Sequence, residues 1–245
     1  MQHFFVNKEA IEGEVIRITG GDVKHISQVL RMKIGEEAFV SDGSFFYQGK
    51  IQRVSKEEVL FQVASKRQID TELPVKITLF QGHPKQDKLE VIIQKSVELG
   101  VYQVVPVETK RTVVKLDEKK RLRRQERWQK VSESAAKQSG RGLIPEVTSP
   151  LSFKEAVQMA SQLDTVLVPY EEAGDIGHTR AVLEEVSSGE RLGVFIGPEG
   201  GFSREEIEVL EGEGAKVITL GSRILRTETA GPAVLSVLSY LFEGR

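Results

Sequence analysis

From Val75 onward the chain alternates short apolar runs with stretches of helical periodicity, and no other feature constrains its fold as tightly. Val75–Gln81 is an apolar run closed by Gly82. Lys85–Leu99 puts Leu89, Ile92, Ile93 and Val97 on one helical face and stops at Gly100. Val101–Val107, Thr165–Pro169, Leu192–Ile196 and Lys216–Leu220 are further apolar runs. Between and after them, Asp117–Ser139, Ser152–Gln162, His178–Ser187, Ser203–Glu211 and Pro232–Phe242 read as helices. Ser203 with Glu206 three residues on has the pattern of a capping box, in which hydroxyl and carboxylate satisfy each other's free backbone N–H. Apolar strands alternating with amphipathic helices are buried on both faces. The expected fold is therefore α/β, with a mostly parallel sheet between helical layers.

Residues 1–72 follow a different grammar. Gly13, Gly20, Gly21, Gly35, Gly43 and Gly49 punctuate short apolar runs such as Ala38-Phe39-Val40, Phe45-Phe46-Tyr47 and Val59–Val63. Asp42-Gly43 is a hairpin signal. Asp22–Leu30 carries helical spacing. The expectation is a small β-barrel domain with one helix, followed by a polar linker at Lys66–Leu73. The division expected is 1–72 and 73–245.

Several chemistries are excluded by what the chain lacks. It has no cysteine, so disulfides, thiolate nucleophiles and cysteine-ligated metals are ruled out. The four histidines, His3, His25, His83 and His178, show no metal-ligating spacing, so no metal site is expected. No run approaches the roughly 18 to 20 apolar residues of a membrane span. Met1–Phe5 starts no basic-then-apolar leader, so a cytoplasmic protein is expected. Net charge is −2, but it is segregated. Lys110–Arg141 holds twelve Lys/Arg against four acids, and Glu171–Glu213 three Arg against twelve acids. A basic segment of that density builds either a phosphate-binding face or a solvated helix.

Ligands of open parallel sheets bind at the carboxyl ends of strands. Three such ends carry unusual loops: Pro169-Tyr170-Glu171, Gly197-Pro198-Glu199-Gly200-Gly201, and Gly221–Gly231. Glycines let backbone approach a ligand closely, although a tight strand-to-helix turn needs one or two of them as well. The loop is not GxGxxG, and no GxxxxGK[ST] occurs, which argues against a dinucleotide site and a P-loop. Glu205 and Glu206 in the following first turn oppose a phosphate there. The Gly221–Gly231 segment is long for a connection between buried elements, which is the mark of a functional loop.

At this point the residues resemble a known family. Ile196–Phe202 (IGPEGGF) followed by Leu220–Ala230 (LGSRILRTETA) is similar to the RsmE family, the 16S ribosomal RNA (uridine-N3)-methyltransferases of the SPOUT superfamily. His25–Met32, Gln94–Gly100 and Ala135–Arg141 match further segments of its pattern in the same order. The resemblance implies a PUA-like β-barrel for RNA at residues 1–72 and, at 73–245, an α/β methyltransferase domain with a C-terminal trefoil knot. It also implies a homodimer acting on 16S rRNA of the small ribosomal subunit, with S-adenosylmethionine as cofactor.

What the resemblance implies for residues is specific. The cofactor is expected at Pro169, Tyr170, Glu171, Ile196, Gly197, Pro198, Glu199, Gly200, Leu220, Gly221, Ile224, Leu225, Thr229 and Ala230. Arg226 is the candidate stabiliser of the substrate anion, or else a structural partner of Glu228 or Glu199. Glu228 is the candidate base, or else an orienting carboxylate. RNA is expected at His25, Arg31, Lys119, Arg123, Arg124, Lys137, Gln138 and Arg141. Other readings are a non-catalytic RNA-binding ribosome-assembly factor and a SPOUT methyltransferase acting on another RNA.

Overall fold

A computed structural model describes residues 2–112 and 118–244. Two compact units result. One comprises residues up to 72 together with 136–144; the other comprises 73–135 and 145 onward.

The first unit is built on a six-stranded sheet in the order β1 (Gln2–Phe5), β4 (Glu37–Ser41), β5 (Phe45–Val54), β6 (Glu58–Gln68), β3 (Val15–Thr19) and β2 (Ile11–Glu12). Only the β1–β4 pair is parallel. Phe4, Ile16, Ile18, Val40, Ile51 and Phe61 fill its core. The Asp42-Gly43 turn forms as expected: Gly43 takes φ +82, and the Asp42 carboxylate accepts the N–H of Ser44 and Phe45 at 2.8 and 2.7 Å.

Two local expectations fail here. The stretch read as a linker from Lys66 is strand as far as Gln68, because Lys66 and Arg67 pair with Tyr47 and Phe46 and lay their cations on Phe45 and Phe46. The helix read over Asp22–Leu30 is α-helical only at α1 (Gly21–Lys24). His25–Val29 is a π-helical turn, in which the Ser27 hydroxyl donates back to the Val23 carbonyl at 2.7 Å. Such back-bonding competes with the helical ladder. Arg31 follows in the left-handed region, φ +53.

The second unit has a seven-stranded sheet whose recorded pairings are all parallel. Its main path is β10 (Leu151–Ser152), β8 (Gln103–Glu108), β7 (Lys76–Gly82), β12 (Arg191–Ile196), β11 (Thr165–Pro169) and β13 (Lys216–Ile218), with β9 (Glu146–Val147) beside β8. β7, β8 and β12 are buried almost throughout, as parallel strands must be, and Phe80 stacks on Phe195 at 4.4 Å. The helices are α2 (Lys88–Glu98), α3 (Glu118–Ser139), α4 (Phe153–Ala160), α5 (Ile176–Glu184), α6 (Arg204–Gly212) and α7 (Thr227–Phe242). The capping box at Ser203 and Glu206 is present. α7 begins five residues before the expected Pro232, which lies inside it. Proline has no N–H to give the preceding turn, yet its fixed φ is helical, so an early proline marks a helix without marking its first residue.

Candidate functional site

β12, β11 and β13 are adjacent, so the loops that leave their carboxyl ends meet. Together with the start of α7 they line a cavity of about 510 Å³. That size falls in the range of small-molecule sites, roughly 300–1,000 Å³. Pro169, Tyr170 and Glu171 form one side. Ile196, Gly197, Pro198, Glu199 and Gly200 form another, and Leu220, Gly221, Ile224, Leu225, Arg226, Glu228 and Ala230 a third. Thr229 alone among the expected pocket residues does not line it. It is exposed, and Thr227 is buried in the wall instead. Because the helix starts at Thr227, residue 229 lies about 200° further round it.

Backbone packing fixes the glycine loop. An added Cβ on Gly82, at the end of β7, would lie 2.5 Å from the nitrogen and Cδ of Pro198. One on Gly197 would lie 2.9 Å from Gly201 backbone, and Gly201 itself has φ +67. The loop is thus a cradle that closes on itself and on β7, and at Gly82 and Gly197 only a hydrogen side chain fits. At Gly200 a Cβ would meet only the Arg111 side chain, at 3.3 Å and beyond. The Arg111 guanidinium donates to the Gly200 carbonyl.

Charge on the wall is organised by a residue that sequence reading missed. The Lys88 ammonium lies 3.2 Å from Glu199 and 3.3 Å from Glu228. The hydrogen bond to Glu199 is the main cause that raises the Lys88 pKa, with Glu228 adding to it. Burial pushes Glu199 upward, but its own N–H, the Lys85 N–H and Lys88 outweigh this and hold it below the usual carboxylate range. Arg226 therefore does not pair with Glu228 or Glu199. Among the described residues its guanidinium has no ion-pair partner, and it stands exposed on the wall as the N-cap residue of α7. Arg111, Thr219 and Thr227 also line the cavity and were not anticipated. Arg111 stood at the edge of the basic run and Thr227 within the LGSRILRTETA segment, whereas Thr219 carried no signal.

The residues expected at RNA divide sharply. In the first unit His25, Arg31 and Gln138 are exposed. Lys137 is 2.9 Å from Asp22. Arg141 is a correction: its side chain is only 5% exposed, and its Nε lies 3.2 and 3.4 Å from the two Glu72 oxygens. A buried, bidentate guanidinium is a structural ion pair and offers no surface to a phosphate. In the second unit Lys119 and Arg123 are exposed on α3 without an ion-pair partner among the described residues. Arg124 is half-buried, 3.4 Å from Nε2 of the buried His83. Arg121 and Arg127 of the same face pair with Glu108 and Glu90. Lys95 and Glu98, three residues apart on α2, form an ion pair at 2.9 Å. Lys115 and Asp117 lie outside the described residues.

The chain matches the RNA methyltransferase domain family over residues 71–239 and the RNA methyltransferase PUA domain family over residues 18–64. It is 39% identical, over 99% of its length and 98% of the relative's, to the ribosomal RNA small subunit methyltransferase E of Bacillus subtilis (strain 168). A putative methyltransferase of Legionella pneumophila, solved in complex with S-adenosylmethionine, is 32% identical with a TM-score of 0.86, covering 98% of this chain and 97% of that one. A ribosomal RNA small subunit methyltransferase E of Neisseria gonorrhoeae, also solved with S-adenosylmethionine bound, is 28% identical with a TM-score of 0.85, covering 99% and 98%.

Proposed function

The chain belongs to the ribosomal RNA small subunit methyltransferase E family, an S-adenosylmethionine-dependent RNA methyltransferase family, and from that premise we propose that it methylates N3 of a uridine in 16S rRNA. One observation carries the reading: three strand-end loops close a cavity of about 510 Å³ over a glycine loop packed so tightly that a Cβ at Gly197 or Gly82 would strike its backbone. Backbone of Ile196–Gly200 and Leu220–Leu225 would hold the adenosine, with Pro169-Tyr170-Glu171 on the third side. The cofactor supplies an electrophilic methyl group on a sulfonium.

The residues must then prepare the nucleophile. Uracil N3–H is not nucleophilic until its proton leaves, and the resulting charge spreads over O2 and O4. Arg226, exposed and without a carboxylate partner among the described residues, presents a fixed fork of donors that stabilises this anion or anchors the adjoining phosphate. Glu228 is the proposed proton acceptor, and taking a proton weakens its ion pair with Lys88. Holding nitrogen, methyl and sulfur in line supplies much of the rate. Lys119 and Arg123 on α3, with His25 and Arg31 in the first unit, are the proposed RNA contacts. The trefoil knot, the homodimer and a cytoplasmic location belong to the same proposal.

Mass mapping of modified uridines in 16S rRNA, from cells with and without this protein, tests the target. An identical uridine map in both sinks it. Arg226→Ala should abolish methylation while S-adenosylhomocysteine still binds, and full activity in that variant removes Arg226 from the mechanism.

A further inference from the structure

Behind the cavity wall lies a hydrogen-bonded chain that the mechanism above does not use. Gln81, next to last in β7, is fully buried. Its Nε2 donates to the Gly82 carbonyl at 3.0 Å and to the Thr227 Oγ1 at 2.9 Å. The Thr227 hydroxyl donates in turn to the Gly197 carbonyl at 2.6 Å. Three segments far apart in sequence are tied by this chain: the end of β7, the first residue of α7 and the first residue of the glycine loop.

The direction of the chain is forced. The Gly82 and Gly197 carbonyls only accept. The amide nitrogen of Gln81, and not its oxygen, must therefore face Gly82. The single Thr227 proton must go to Gly197, so the Thr227 oxygen has to accept from residue 81. Only a donor at position 81 completes the arrangement. The other half of the amide supports this: among the described residues the buried Gln81 Oε1 has no hydrogen-bond partner, and Gly231 of α7 faces it. Burying an unpaired acceptor is unfavourable, and a side chain placed there for packing alone would not carry one. Thr227 stands between Arg226 and Glu228, and both of those line the cavity.

We propose that Gln81 is a positioning residue for methyl transfer, acting through Thr227 to set the first turn of α7, with Arg226 and Glu228, against the glycine loop. The inference rests on the cofactor reading of the cavity. It predicts dependence on donor direction, which a packing role does not. Thr227→Ser keeps the hydroxyl and should stay close to wild type. Thr227→Val keeps the volume and loses the link, so kcat at saturating RNA and cofactor should fall roughly tenfold to a hundredfold, the cost of one broken buried hydrogen bond, while KM for RNA is unchanged. Gln81→Glu can donate only when protonated, and its single proton can then restore the Thr227 link while the Gly82 carbonyl goes unpaired; burial raises the pKa of such a carboxyl. Its activity relative to wild type should therefore rise as the pH falls below neutral. The tests are steady-state methylation of small-subunit rRNA across pH 5 to 8 and calorimetric titration with S-adenosylhomocysteine, on protein shown to be folded by circular dichroism. Should Gln81→Glu not fold, the Thr227 pair decides alone. A wild-type kcat in Thr227→Val, or a flat relative pH profile in Gln81→Glu, overturns the positioning role. Wild-type protein that binds no S-adenosylhomocysteine overturns the cofactor reading and this inference with it.

Discussion

Gly82→Ala perturbs the cradle from outside the cavity, and its consequence follows from the packing. The new Cβ would lie 2.5 Å from the nitrogen and Cδ of Pro198 and 2.9 Å from the Gly197 carbonyl carbon, where ordinary contact begins at 3.4 Å. The obstructing atoms are backbone and a proline ring, which have no alternative rotamer, so the loop must retreat by roughly 1 Å, a displacement that costs catalysis on the order of a hundredfold. Overpacking of this kind costs about 1–3 kcal/mol, which for a chain of this size lowers Tm by roughly 3–10 °C. Gly200→Ala is the internal control. Its Cβ meets only the Arg111 side chain, at 3.3 Å for Cδ, and that flexible arm yields. Its stability should stay within about 0.5 kcal/mol of wild type. Steady-state methylation, titration calorimetry with S-adenosylhomocysteine and scanning calorimetry in one buffer measure the rate, the affinity and the Tm. If Gly82→Ala binds as wild type does, or if Gly200→Ala is the weaker binder of the two, the cradle argument is wrong.

Three further outcomes are expected. Burial lowers the pKa of His3 and of His83 to about 4, with Lys137 and Arg124 respectively adding to the effect and Glu199 opposing it at His83. Folding therefore favours the neutral rings. Their contribution is complete above pH 6.5 and is lost as pH falls toward 4, because the unfolded chain binds the extra protons; urea titrations of His83→Gln should show a shallower loss over that window than wild type. Arg141→Ala leaves the Glu72 carboxylate, 20% exposed, without its partner, and denaturant melts should record a loss of about 3 kcal/mol. Lys119→Ala and Arg123→Ala should leave Tm unchanged but lower the slope of log affinity for RNA against log salt by about 1 each if each meets a phosphate; an unchanged slope removes them from the interface.

Features written in local pattern were legible before any coordinates. The apolar runs from Val75 gave parallel strands because burial on both faces demands continuous hydrophobicity, and Ser203 with Glu206 capped α6 because a capping box spans one turn. The glycine loop and the segment before α7 stood out because close backbone approach needs glycine. At the same local scale the reading erred in three places, once through strand pairing and twice through a local hydrogen bond or an early proline. The strand pairing of Lys66 and Arg67 and the π-helical turn at His25 are two such cases. The start of α7 at Thr227, which exchanges Thr229 for Thr227 in the wall, is a third.

What only the tertiary structure decided is which side chains face one another. Lys88 lies 140 residues from Glu228, Gln81 lies 146 from Thr227, and Arg141 lies 69 from Glu72. Hydropathy and spacing report the period of a segment and therefore its own fold. They carry no information on which strand ends become neighbours. The order β7, β12, β11, β13 brings the three cavity-lining loops together and sets Lys88 between two carboxylates. Sequence alone determined that this chain has long or glycine-rich loops at the strand ends of a parallel sheet. The paired charges and the buried hydrogen-bonded chain beneath those loops exist only once the strands are ordered, because hydrogen bonds and ion pairs act over a few ångströms of space and not along the chain.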